Sequence, residues 1–125
     1  KPKQVEPTFE TFQQARNLEE RKARSARSLL MHPDCVPIII EPSERCAYKK
    51  KYIRITVKKE TLIRNLLHDI RTASQDTLRG LDYYFLAEDS VLKPEHRIGD
   101  LYESYAAEDG FLYLTYNYRP GFVSW

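Results

Sequence analysis

The feature that most constrains this chain is an abrupt change of hydrophobic period between Tyr52 and Arg71. From Tyr52 to Val57 the residues alternate, with Ile53, Ile55 and Val57 on one side and Tyr52, Arg54 and Thr56 on the other. That pattern predicts a half-buried strand with one face toward solvent. From Glu60 to Arg71 the apolar residues Leu62, Ile63, Leu66, Leu67 and Ile70 fall three and four apart, which predicts a helix with one broad apolar face. Upstream, Val36–Ile40 is a short β-branched run that predicts a second strand, with Pro37 near its start because proline cannot donate a ladder bond. The two strands are expected to pair as an antiparallel hairpin. The fold class expected is therefore α+β, one sheet covered by one helix.

The remaining segments fit around that unit. Residues 1–8 carry two prolines and no apolar period, and read as a flexible lead-in. Phe9–Met31 is charge-rich and free of Gly and Pro, and predicts two short helices with a break near Asn17. Ala26, Leu29 and Leu30 supply a thin apolar stripe, while Arg16, Arg21, Lys22, Arg24 and Arg27 make the rest of that surface basic. His32-Pro33-Asp34 ends the helix, since proline disfavours helix in the residue before it. Tyr83–Ala87 predicts a strand. Ile98, Leu101, Tyr102 and Tyr105 mark a short helix, Phe111–Tyr116 the last strand, and 117–125 a tail with a Pro-Gly turn signal. The chain is thus divided into a lead-in (1–8), one domain (9–116) with a helical arm (9–31), and a tail (117–125).

At 125 residues the chain has length for one modest core. A net charge of +2 is not that of a nucleic-acid binder. No apolar run approaches the roughly 18 residues a membrane span needs. The first residue is Lys1 and no secretory signal is visible, which reads as a fragment's start and a cytosolic setting with reduced thiols.

Catalytic signatures are missing from the residues. Cys35 and Cys46 form no CxxC pair, and His32, His68 and His96 lie at no metal-ligand spacing, so no metal is expected. Cys35 beside His32 and Asp34 admits a thiol nucleophile, but a cysteine at the start of an apolar strand reads first as packing. There is no G-x-S-x-G, P-loop or other glycine-rich phosphate cradle, so neither an enzyme nor a cofactor is expected. Lys49-Lys50-Lys51 reads either as a solvated turn or as a binding patch, and the basic helix either as a solvated face or as a surface for tubulin or acidic lipid.

Three blocks carry a family resemblance in order: His32-Pro33-Asp34-Cys35-Val36-Pro37-Ile38-Ile39-Ile40-Glu41, then Lys49-Lys50-Lys51-Tyr52-Ile53, then Leu101-Tyr102 with Glu108-Asp109-Gly110-Phe111-Leu112-Tyr113. Phe12 and Leu18-Glu19-Glu20-Arg21 add the helical arm. Together they resemble the ubiquitin-like modifiers of autophagy, the family of GABARAP, light chain three and autophagy-related protein eight. Departures mark a divergent member. Cys35 stands for an arginine, His32 for a tyrosine, Arg54 and Ile55 for an apolar residue and a proline, and helix 60–71 lacks the family's Gly-Gln-Phe and Arg-Lys-Arg elements.

The resemblance implies a ubiquitin-like β-grasp with an N-terminal two-helix arm and the strand 52–57 on the sheet edge. It implies binding, not catalysis: peptides carrying an aromatic residue, two variable residues and an aliphatic one would add a strand to that edge. Carried over, the aromatic pocket would use Pro37, Ile39, Lys51, Ile53 and Phe111, and the aliphatic pocket Tyr52, Ile55, Ile63, Leu66 and Leu67. Lys49 and Lys51 would attract acidic flanks of the peptide. The partners implied are autophagy receptors and adaptors, a processing protease, E1/E2-like conjugation enzymes and phosphatidylethanolamine in the autophagosome membrane, with the unconjugated protein in the cytoplasm. The acceptor would be Gly121, with Phe122–Trp125 trimmed, or a glycine beyond Trp125. The alternatives are an unconjugated β-grasp interaction module, or an adaptor for tubulin or acidic membrane through the basic arm.

Overall fold

The computed structural model describes residues 9–46, 51–74 and 83–118. The lead-in, Lys49 and Gly121 lie outside the described residues. In chain order the elements are α1 (Phe12–Ala15), α2 (Leu18–Met31), β1 (Cys35–Pro42), β2 (Ile53–Lys58), α3 (Ile63–Ser74), β3 (Tyr83–Ala87), β4 (Ser90–Val91), α4 (Ile98–Tyr105) and β5 (Leu112–Tyr118).

The five strands form one sheet in the order β2-β1-β5-β3-β4. β1 pairs antiparallel with β2 and parallel with β5, and β3 pairs antiparallel with β5 and β4. The expected hairpin, edge position and covering helix are all present. Val36, Ile38 and Ile40 of β1 stand opposite Val57, Ile55 and Ile53 of β2. These side chains point to the same face, where they meet Ile63 and Leu66 of α3, Ile98 and Leu101 of α4, and Leu112 and Leu114 of β5. Alternation along each strand and the 3.6 period along α3 thus converge on one core.

The opposite face is covered by the arm. Both arm helices open with a capping box, Thr11 with Gln14 and Asn17 with Glu20. The break expected near Asn17 is therefore a helix start, where the Asn17 side chain accepts the Glu20 amide at 2.9 Å. Phe12 of α1 anchors the arm on Ile39 and Phe111 of the sheet side, all three fully buried.

Several boundaries differ from the sequence expectation. α3 begins at Ile63, three residues later than expected, because the segment before it is pinned elsewhere. The Thr61 amide donates to the Lys58 carbonyl, Leu62 bridges Arg97, and the Ile63 amide donates to the His96 carbonyl. β5 runs through Asn117 and Tyr118, residues assigned to the tail, because it pairs with Tyr83 and Tyr84 of β3 and stacks Tyr83, Tyr116 and Tyr118 edge to face. β4 carries no apolar run to reveal it. It follows a two-residue turn in which Glu88 and Asp89 both take positive φ, 47° and 69°.

The stripe Ala26, Leu29 and Leu30 does not anchor α2. Leu30 is 82% exposed and Ala26 is exposed, whereas the buried residue of the helix is Ser25. The inward face of α2 is polar, for a reason given by the site.

Candidate functional site

β2 pairs only with β1, so its other flank is a free edge among the described residues. The sheet's far edge, β4, is two residues long and exposed. β2 is six residues long and alternates half-buried Ile53, Ile55 and Val57 with exposed Arg54, Thr56 and Lys58. A long, regular edge with unpaired main-chain groups is a template for an added strand.

The two sides of this edge differ in chemistry. Toward α3, Ile53, Ile55 and Leu67 are half-buried and pack on the main core. Toward the arm, α2 and β2 enclose a groove of about 560 Å³ lined by Glu20, Ala23, Arg24, Arg27, Ser28, Met31, His32, Arg54 and Thr56. Three arginines face this space. Glu20, the one carboxylate lining it, also reaches the Asn17 amide in its capping box. The Arg24 Nε is buried and has no hydrogen-bond partner, a state that favours an incoming acceptor.

What fixes α2 at that distance from β2 is Asp109, which is buried just before β5. Its carboxylate accepts from Arg21 Nη1 at 2.7 Å, from the Tyr113 hydroxyl, and from the Phe111 amide at 2.9 Å. The Ser25 hydroxyl reaches the Asp109 carbonyl. Arg21 Nε also holds the Arg16 carbonyl at 3.1 Å, where α1 gives way to α2. Gly110 has φ +89°, and a Cβ there would run into Ser25. Arg21, Ser25 and Ser28 fall at helical spacing, which is why the inward face of α2 is polar. Burial and the Asp109 carboxylate push the Tyr113 phenol above its usual range. The Arg21 guanidinium is raised, first by its bond to Tyr113, against the cost of burial. A second tie joins the Phe12 amide to Glu41 Oε2 at 2.9 Å.

The residues expected to wall the two pockets are redistributed. Pro37, Ile39 and Phe111 are on the arm side but buried, with Phe12 packed edge-on over Phe111 at 5.0 Å between ring centroids. Ile63 and Leu66 are likewise sealed in the main core. Tyr52 and Ile53 exchange sides. Tyr52, grouped with the aliphatic pocket, packs on Phe12 at 5.3 Å on the arm side, and Ile53, grouped with the aromatic pocket, joins the core on the α3 side. The strand period of two requires this, since Tyr52 must share a face with Arg54 and Ile53 with Ile55. Lys51 is exposed, with Nζ 5.7 Å from the Tyr52 ring centroid. Among the described residues, the accessible members of the expected set are therefore Lys51, Tyr52, Ile53, Ile55 and Leu67.

The groove arginines are visible in the sequence only as a basic helix face and an odd charge in an alternating strand. Their meeting across the arm is tertiary. The role of Asp109 was not foreseen: a lone acid before a strand carries no sign that it will be buried.

Residues 20–123 match the family model described as Autophagy protein Atg8 ubiquitin like. Autophagy-related protein 8e of Arabidopsis thaliana is 32% identical over 111 residues, covering 85% of this chain and 87% of that protein. Human Microtubule-associated protein 1 light chain 3 gamma is 27% identical over 119 residues, covering 92% and 80%. The crystal structure of Trypanosoma brucei ATG8 superposes with a TM-score of 0.79 at 23% identity, over 90% of this chain and 97% of that one, and so shares the fold. The chain belongs to the Atg8 family of ubiquitin-like autophagy proteins, as a divergent member.

Proposed function

We propose that this protein acts by binding rather than catalysis, gripping receptor peptides of the aromatic-x-x-aliphatic kind along the free edge of β2. The observation that carries this reading is the six-residue edge strand, open on one flank and bordered by a groove on one side and a half-buried aliphatic ledge on the other. Main-chain bonds to β2 would supply affinity, and the two sides would select alternate side chains. Lys51, Tyr52 and the arm groove would receive the aromatic residue and its acidic flank. Ile53, Ile55 and Leu67 would receive the aliphatic one. The buried residues Pro37, Ile39, Phe111, Ile63 and Leu66 would support those surfaces from beneath.

Calorimetric titration with an acid-flanked Trp-x-x-Leu peptide tests the reading. Micromolar binding that is lost when both anchors are alanine supports it, as does weakening by Lys51→Glu. A folded protein that binds neither peptide rejects it.

The same reading makes the protein a conjugated modifier that recruits autophagy receptors and adaptors from the cytoplasm to the autophagosome membrane. It would be joined to phosphatidylethanolamine through Gly121 or a later glycine, by the family's processing protease and E1/E2-like enzymes. Mass spectrometry after incubation with that protease discriminates. Loss of Phe122–Trp125 supports Gly121, and an unchanged mass rejects it.

A further inference from the structure

Two anchors three residues apart on an added strand must point to opposite faces of the sheet, because successive side chains alternate. If the aromatic anchor faces the arm and the aliphatic anchor faces α3, the first variable residue faces α3. The second variable residue then faces the arm, two positions along from the aromatic. For a strand added parallel to β2 with its aromatic beside Tyr52, that position lies against Arg54 and Thr56, both exposed, and both line the groove shared with Arg24 and Arg27 of α2.

This neighbourhood is short of acceptors. Among the described residues Arg21 pairs with Asp109, and Arg24, Arg27 and Arg54 have no carboxylate within pairing distance. Arg24 Nε is out of solvent and unpartnered. Glu20 reaches back to its capping box. A carboxylate entering from the edge would meet planar, multi-donor cations arranged from both walls, the geometry in which arginine binds acids well.

We infer that this protein selects an acidic residue at the second variable position of its peptides, through Arg54 with Arg24 and Arg27. The occupant is an extended peptide of the form aromatic-x-(Asp/Glu)-aliphatic. This rests on the strand-addition reading and adds a specificity determinant to it. Charge complementarity, not a deeper apolar pocket, distinguishes the arm side of this chain. The apolar floor of that side is already filled by Phe12.

Three peptides test it, identical except at the variable positions: Trp-Gln-Glu-Leu, Trp-Glu-Gln-Leu and Trp-Gln-Gln-Leu, with common neutral flanks, titrated by fluorescence polarisation at low and high salt. The first is expected to bind about 3- to 10-fold tighter than the third, in the range of a partly shielded charge contact. The second is expected to gain much less. The preference shrinks toward unity in Arg54→Gln and in Arg24→Gln/Arg54→Gln, while Leu30→Ala on the outer face of α2 retains it. Circular dichroism confirms that each variant folds. Equal affinities for all three peptides, a preference at the first variable position, or a preference that survives the double variant overturns the inference and leaves strand addition standing. No binding of any of the three by folded protein overturns both.

Discussion

The two faces of the sheet are built on different principles. The α3 face is a continuous aliphatic core, from Val36, Ile38 and Ile40 through Leu66 to Leu112 and Leu114, and its stability scales with buried apolar area. The arm face buries a small aromatic cluster around Phe12, Ile39 and Phe111, and depends on one buried acid that gathers Arg21, Tyr113 and a backbone amide. The first face gains its stability from area and close packing. The second fixes a helix at a set distance and angle, and so holds a groove open beside an edge strand. Polar locking specifies position where apolar packing alone specifies only proximity.

The strongest way to break this contrast is to remove the lock. Asp109→Ala leaves the Arg21 charge, the Tyr113 hydroxyl and the Phe111 amide without their acceptor, and is expected to cost about 3–5 kcal/mol in denaturant unfolding. Amide exchange should show α1 and α2 losing protection while α3 keeps most of its own. If α2 and α3 open together, the two faces are one cooperative unit. Leu66→Ala on the other face should cost about 3 kcal/mol by leaving a cavity, and should lower protection throughout the sheet.

A smaller effect is expected in alkali. The Tyr113 phenol is held neutral in the folded protein, with its pKa above the ordinary value of 10. Below pH 10 it is protonated in both states and its contribution is whole. As pH rises beyond 10 the unfolded chain loses the proton first, so stability falls as pH climbs toward the folded value. Tyr113→Phe should flatten part of that slope in pH-dependent melting. The smallest effect belongs to Leu30→Ala, within about 0.5 kcal/mol, because the side chain is 82% exposed.

The α3 face was legible in the sequence because its signals are local. Alternation in Tyr52–Val57 and the 3.6 period from Leu62 to Ile70 each point to one buried side. The arm side was not, because its determinants are far apart in the chain. Arg21 and Asp109 are 88 positions apart, and Ala26 and Leu30 of the apolar stripe lie exposed on α2. The edge position of β2 followed from the family resemblance, but the surfaces beside it did not. Pro37, Ile39 and Phe111 are apolar residues beside the edge, and their burial, with Phe12 packed on Ile39 and Phe111, depends on contacts distant in the chain. The exchange of Tyr52 and Ile53 was implicit in the alternation and follows from it once Arg54 is fixed outward.

Amide exchange along β2, with and without the acid-flanked Trp-x-x-Leu peptide, tests strand addition most directly. Added pairing should protect the β2 amides that point away from β1, leaving β4 unchanged. Peptide binding with β2 amides still in rapid exchange would contradict docking at this edge.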